Sequence, residues 1–408
     1  MGNEKIIFRK NPVINIMGVS MENTKYLVWL TMVLGNTSAN IWNILKNYDS
    51  ASDAYYDIMS GVYKFKPAAG QLKKINEISL DKAKEIVDYC RENKVGIACY
   101  DSDEYPQRLK SMKYPPVVLY YRGDISCIAK GRNITCVGTR KPSEYTFRTT
   151  SSVCSELVKN GFTIVSGFAK GVDITSHLAA VTLNRPTVCV LGCGVDHNYP
   201  SENACYRKQI LENGGVFISE YFPTQKQIKG SFQRRNIILA ALSDATIVFE
   251  AAEKSGSLST AESAVEQGKK LFCIPPSDIY DSRYAGNIEI LRTTALPFYS
   301  ADDIFKAYDV KNNIRINDCA DVMKSVNTKN KSKKTEKLVA VPVSGQVPEK
   351  SFTPVQLKIL DMLTNCTLHV DIIINKLDMD ISDIIMELME LQFMGLIEEV
   401  AGSRFRRI

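Results

Sequence analysis

The chain has 408 residues, 45% of them hydrophobic, and a formal net charge of +6. That length exceeds one ordinary domain and predicts two or three, with enough apolar residues for a sizeable core. Eleven cysteines without a single CxxC pair, and only three histidines, exclude a disulfide framework and a histidine-based metal cluster. The expectation is therefore free, buried thiols in a reducing compartment and no metal. No apolar run approaches membrane-spanning length and no signal-peptide core opens the chain, so a soluble cytoplasmic protein is expected. A mild basic charge permits an anionic partner without requiring one.

Residues 1–20 read as irregular. From Met21 the pattern is helical: Tyr26, Leu27, Trp29, Leu30 and Val33 share one face, and Ile41, Trp42, Ile44 and Leu45 share another. Gly35-Asn36-Thr37-Ser38 separates the two and supplies a cap. A small helical module is expected over 21–90.

Residues 91–308 change character. Pro115-Pro116 and Gly123-Asp124 punctuate short strands, after which apolar strands alternate with helices. Strands are predicted at 134–137, 162–165, 187–191, 216–219, 245–249 and 270–274. Helices are predicted at 146–159, 174–183, 202–212, 234–242 and 258–267. Uninterrupted apolar strands alternating with helices predict an α/β fold with a Rossmann-like doubly wound, mostly parallel sheet covered on both faces. Ligands of such sheets sit at the carboxyl ends of the strands.

Periodicity ends over 309–351, where Lys324, Lys329, Lys331, Lys333, Lys334 and Lys337 define a basic linker. Its role is either spacing and solubility or a transient attraction to polyanions. Residues 352–408 read as three helices and a hairpin, the pattern of a winged-helix domain. The third of these helices carries Asp383, Glu387 and Glu390 and no Lys or Arg. Acids there would face phosphate if the helix entered a groove, so protein docking or dimerisation is the expected role. Arg404, Arg406 and Arg407 on the wing leave a minor polyanion contact open.

Three loops at predicted strand ends carry anion chemistry. Ser166-Gly167-Phe168-Ala169-Lys170-Gly171-Val172-Asp173 places two glycines and a lysine between a strand and a helix start. Glycine allows close backbone approach, and the helix start adds partial positive charge. Gly138-Thr139-Arg140 follows the first apolar strand, and a guanidinium fork suits phosphate oxygens. Lys226, Lys229, Arg234 and Arg235 cluster with Phe232 and Asn236 at a helix start, against a dipole penalty of roughly 0.3–1 kcal/mol each. Those cations are either a solvated basic loop or an anion site. Ser255, Gly256 and Ser257 suit backbone contact with phosphate, while Ser259 with Glu262 matches a capping box that would start the next helix. Asp173, Glu220 and Glu250 are expected to cap helices or orient basic side chains.

Absent motifs narrow the chemistry. Gly192-Cys193-Gly194 lacks the third small residue of a dinucleotide fingerprint, and neither a P-loop nor a nucleophile elbow occurs. Phosphate cradles without a catalytic engine or cofactor are the result. Phe168, Tyr199, Tyr221, Phe222 and Phe232 interleave with the cradles. Core packing is the default for each, but one exposed beside a basic groove would stack an unpaired base for roughly 1–3 kcal/mol.

The ordered blocks Val137–Arg140, Ser166–Asp173 with His177, Leu191–Asp196 with Tyr199-Pro200 and Asn203, Ser219-Glu220, Arg235-Asn236 and Glu250–Ala261 resemble the bacterial DNA-processing protein A (DprA/Smf) family. Tyr105-Pro106 and Pro115–Gly123 fit as well. The resemblance spans roughly residues 21–305 and the terminal winged helix. It implies a non-enzymatic domain that binds single-stranded DNA without sequence preference, dimerises, contacts the RecA recombinase and displaces single-strand-binding protein during natural transformation. By position it assigns Arg140 and Lys170 to the DNA backbone, with Lys229, Phe232 and Arg235 in a second contacting stretch. The full expected DNA site is Gly138, Arg140, Ser166, Gly167, Lys170, Gly171, Lys229, Phe232, Arg235, Asn236, Ser255, Gly256 and Ser257, with no catalytic residue. Three positions depart from the family pattern: Ile237 stands where a second Arg is usual, Gln233 replaces Pro, and Pro276 replaces Gly. The Gly35-Asn36-Thr37 turn only partly resembles a helix–hairpin–helix turn. A competing reading is a nucleoside monophosphate phosphoribohydrolase using Glu250 and the Lys254–Ser257 loop, although its PGGxGT-like phosphate loop is absent.

Overall fold

The computed structural model describes residues 21–308, 352–364, 366–377, 379, 381–400 and 404–408. Residues 1–20, expected to be irregular, residues 309–351, expected to be a basic linker, and the expected Gly402-Ser403 turn lie outside the described residues. The chain divides into two compact units, Met1–Pro297 and Phe298–Ile408.

The first unit opens with helices Met21–Leu34, Ala39–Asn47, Ala51–Met59, Ala69–Glu77 and Leu80–Glu92. Ser38 caps the second, its side chain accepting from the Ile41 N–H at 3.2 Å. Leu27, Trp29, Leu30, Val33, Ile41 and Ile44 are all buried, as their helical spacing predicts. The turn between the first two helices faces the sheet. Asn36 Nδ2 donates to the Val118 carbonyl (2.7 Å) and the Glu220 carbonyl (3.0 Å), and its Oδ1 accepts from the Val118 N–H (2.9 Å). A turn that partly resembles a helix–hairpin–helix turn is thus used to dock the helices onto the sheet.

The sheet has nine strands: β1 (Gly96–Cys99), β2 (Val118–Gly123), β3 (Arg132–Val137), β4 (Phe162–Ser166), β5 (Thr187–Val190), β6 (Val216–Ser219), β7 (Ala245–Val248), β8 (Lys270–Cys273) and β9 (Leu296–Pro297). Their order is β1-β2-β6-β5-β4-β3-β7-β8-β9. From β6 to β9 every pairing is parallel, while β1 and β2 form an antiparallel flank. Helices Glu144–Lys159, Val172–Thr182, Tyr206–Glu212, Ser231–Leu242 and Gly256–Glu266 connect the parallel strands. Residues on both sides of β5, from Thr187 to Val190, are buried, which is why the parallel strands read as continuous apolar runs. The chain winds outward from β3 to β6 and then returns to β7 on the other side of β3. That reversal opens a crevice at the carboxyl ends of β3 and β7, the standard ligand position of a doubly wound sheet.

Helix starts fall two or three residues before the expected ones, at Val172, Ser231 and Gly256. The expected capping box is also corrected. Ser255 is the N-cap, accepting from the Ser257 N–H, and Ser259 lies inside the first turn, donating to the Gly256 carbonyl at 2.8 Å. Cys90, Cys99, Cys127, Cys136, Cys154, Cys189, Cys193 and Cys273 are buried free thiols. Burial pushes the Cys90, Cys99 and Cys127 thiols up to about 12, so they behave as small apolar side chains.

In the second unit, helices Pro354–Met362, Val370–Leu377 and Ile381–Phe393 accompany a small sheet of β10 (Leu368–His369, between the first two helices), β11 (Ile397–Val400) and β12 (Arg404–Arg407), ordered β10-β12-β11. Thr353 caps the first helix through the Gln356 N–H at 3.0 Å, with Pro354 at the first helical position. Ile359, Ile373, Ile384, Leu391, Ile397 and Phe405 are buried. This is a winged-helix domain.

Candidate nucleic-acid interface

Four strand ends build the crevice. After β3, the Gly138–Arg140 loop runs against the start of helix Val172–Thr182. A Cβ on Gly138 would lie 2.6 Å from Val172 Cγ2, and one on Gly171 would lie 2.3 Å from the Thr139 carbonyl oxygen. The Val172 N–H donates to that same carbonyl at 3.1 Å. These two glycines let the Arg140 and Lys170 loops close on each other.

After β4, the loop is organised from below. Phe168 takes a left-handed φ of +58° and is fully buried, packed edge-on to Phe217 at 5.0 Å. The buried Asp173 carboxylate accepts from the Gly167 N–H (3.2 Å) and the Ala169 N–H (3.3 Å). Two N–H groups that sequence reasoning offers to a phosphate are therefore already used. Ser166 is also buried, its hydroxyl donating to the Cys136 carbonyl at 2.6 Å. It holds β4 against β3 rather than lining the crevice.

Gly167, which lines the crevice, also makes room for a side chain from below. A Cβ there would fall 1.5 Å from Arg235 Nη1, so the missing side chain is the channel through which Arg235 passes. Arg235 is only 7% exposed. Its Nη1 donates to the Val190 carbonyl (3.2 Å) and its Nε to Asn236 Oδ1 (3.0 Å). Burial lowers its pKa while the Asp173 charge opposes that shift. Burial likewise raises the pKa of Asp173, with Arg235 working against it. The two groups partly compensate each other's burial inside the fold.

Phe232, in the first turn of helix Ser231–Leu242, lies close to Arg235. The Arg140 guanidinium is 5.7 Å from its ring centroid and that of Arg235 is 5.9 Å. Tyr199 tilts against the same ring at 5.8 Å. Gly192 makes room for it, since a Cβ there would meet Phe232 Cδ1 at 2.8 Å. Two adjoining depressions share Arg140, Ala169, Phe232 and Arg235. One continues along Gly167, Lys170, Gly192 and Tyr199. The other continues along Gly138, Asn236, Ser255, Gly256 and Ser257.

Most of the expected site thus converges, with different shares of the work. Arg140 and Lys170 are exposed, and Lys170 forms an ion pair with Glu202. Glu202 comes from a short turn 32 residues away, and no sequence pattern marks it. Asn236 Nδ2 binds Ser259 Oγ (2.8 Å) and the Gly256 carbonyl (3.1 Å), tying two helix starts together. Lys229 is exposed on the preceding loop and lines neither depression. Ile237 is partly buried against the core and also lies outside both linings. Glu220 pairs with Arg234 at 3.6 Å, an orienting role of the expected kind. His177 is buried with Nδ1 2.7 Å from Thr187 Oγ1, and burial lowers its pKa to about 3. Among the described residues no group of three or more His, Cys, Asp and Glu is placed to hold a metal ion.

A doubly wound α/β unit with a cationic, aromatic-lined crevice at its switch point, followed by a winged helix, defines the class. Two family models match it: DNA recombination-mediator protein A over residues 96–309 and DprA winged helix domain over residues 346–403. The chain belongs to the DprA/Smf family. It is 36% identical over 244 residues to the DNA processing protein DprA of Bacillus subtilis, which covers 60% of this chain and 82% of that protein. Protein Smf of Synechocystis is 31% identical over 325 residues, covering 75% of this chain and 79% of its own length. The X-ray structure of DprA from Streptococcus pneumoniae superimposes with a TM-score of 0.59 at 28% identity, covering 69% of this chain and 97% of that one.

Proposed function

We propose that this protein binds single-stranded DNA without sequence preference and loads the RecA recombinase onto it, in recombination and DNA uptake. The carrying observation is the half-exposed Phe232 ring, 5.7 Å from the Arg140 guanidinium and 5.9 Å from that of Arg235. A ring of that kind offers an unpaired base a stacking surface, and the exposed Arg140 and Lys170 beside it hold the phosphates. Duplex bases are already stacked on each other and gain nothing from the ring, which favours single strands. Membership of the recombination-mediator family supports the same reading.

RecA and single-strand-binding protein are the proposed protein partners, the first received and the second displaced. A homodimer is proposed as well. Ile279, Tyr280 and Leu296, exposed near the β8–β9 end of the sheet, provide apolar surface for a second copy. Hydrolysis is not part of the proposal. Glu250, the acid required by the phosphoribohydrolase reading, is buried and accepts from the Ser143 N–H (3.0 Å) and hydroxyl (2.8 Å) at the start of helix Glu144–Lys159.

The test is filament nucleation by RecA and ATP on a strand already covered by single-strand-binding protein. The protein should shorten the lag, and Phe232→Ala should restore most of it. An unchanged lag with wild-type protein would refute the loading function.

A further inference from the structure

The third helix of the winged-helix domain, Ile381–Phe393, is apolar on two faces. One face, with Ile384, Leu388 and Leu391, is buried in the domain core. The other leaves Ile385 43%, Met386 66% and Met389 64% exposed. Three large apolar side chains at i, i+1 and i+4 form one contiguous patch on a helix. A surface helix ordinarily turns its second face polar, so this patch marks a contact surface.

Charge selects the occupant. Asp383 is exposed and, with Glu387 and Glu390, lines one edge of the patch by helical spacing. The two glutamates point toward the first helix, accepting from Thr353 Oγ1 at 3.2 Å and from Gln356 Nε2 at 2.9 Å. The helix carries no Lys or Arg. Nucleic acid is repelled by such a border. A second copy docking through the same face would set its acids against these acids. A segment with apolar anchors and a basic border satisfies both features, and unbranched methionine side chains adapt readily to such anchors.

We propose that the outer face of this helix docks a basic, amphipathic helical segment of a partner protein. This surface belongs to the second unit and the strand-end crevice to the first, and the inference is independent of the DNA-binding reading.

The probe is a fluorescent helical peptide of leucine and lysine at amphipathic spacing, titrated with the full chain, beside a peptide with glutamate in place of lysine. Saturable, salt-sensitive binding of the lysine peptide alone is expected. Met386→Ser/Met389→Ser should weaken it at least about tenfold, and Asp383→Lys should weaken it independently. Circular dichroism and thermal unfolding of the same variants should match wild type, which reports an intact fold. No saturable binding, or equal affinity in the variants, overturns the proposal. So does loss of self-association in the methionine variant, which would assign the face to a second copy. Peptide binding that emerges only after deletion of 309–351 overturns it in favour of the chain's own lysine-rich segment.

Discussion

Phe232 and Gly167 divide the work of the crevice between surface and support. Phe232 is half-buried, so Phe232→Ala should leave thermal unfolding nearly unchanged. It should weaken binding of an unstructured oligonucleotide by roughly 1–3 kcal/mol, measured by fluorescence anisotropy. Gly167→Ala acts through the interior, because its methyl group would collide with the Arg235 guanidinium. Overpacking of that kind costs about 1–3 kcal/mol of stability, read as a lower urea midpoint together with lost DNA affinity. Gly256→Ala is the control, since open space surrounds its Cβ position; its urea midpoint should stay close to wild type. Glu202 competes with phosphate for Lys170. Glu202→Gln should therefore strengthen oligonucleotide binding, by no more than about fivefold for so exposed a pair. Buried His177 sets a pH response. Its folded pKa of about 3 lies below the ordinary 6.5, so the unfolded chain takes the proton first. The contribution is complete above about pH 6.5 and is lost as pH falls toward 3, by up to ~1.4 kcal/mol per unit. Urea unfolding between pH 7 and 4 should show a slope that flattens in His177→Gln.

At the scale of elements, strands were more legible than the turns that join them. Parallel strands buried on both faces must be apolar throughout, so β3 to β8 appear as uninterrupted runs such as Thr187–Val190. Helix starts were less legible, because Gly, Ser and Arg in a first turn look the same as loop residues. Gly256, for instance, begins a helix that the apolar pattern places at 258. The Gly35-Asn36 turn shows a second limit. Its hydrogen-bonding partners, Val118 and Glu220, lie 82 and 184 residues away, beyond any local pattern. Asn36→Ala should leave three backbone groups, the Val118 N–H and the Val118 and Glu220 carbonyls, short of a partner and cost about 1–3 kcal/mol. Urea unfolding would register that loss, with the helical segment losing amide protection before the sheet.

Across the whole molecule, the chain order of the motifs located the crevice, but not the depth at which each residue acts. Arg140, Lys170, Phe232 and the Ser255–Ser257 turn come together at the strand ends, as a doubly wound sheet dictates. Sequence alone could not show that Asp173 occupies two of the loop N–H groups, or that Arg235 is a buried support. Those are tertiary facts set by close packing. The account therefore assigns phosphate binding to exposed side-chain cations more than to backbone cradles. The most direct test is anisotropy titration of an unstructured oligonucleotide and a duplex of equal length, across salt, with wild type and Arg140→Ala/Lys170→Ala. The account predicts a strong single-strand preference, affinity that falls steeply with salt, and a shallower salt slope with weaker binding in the double variant. Equal, weak and salt-independent binding of both DNAs by both proteins would contradict it.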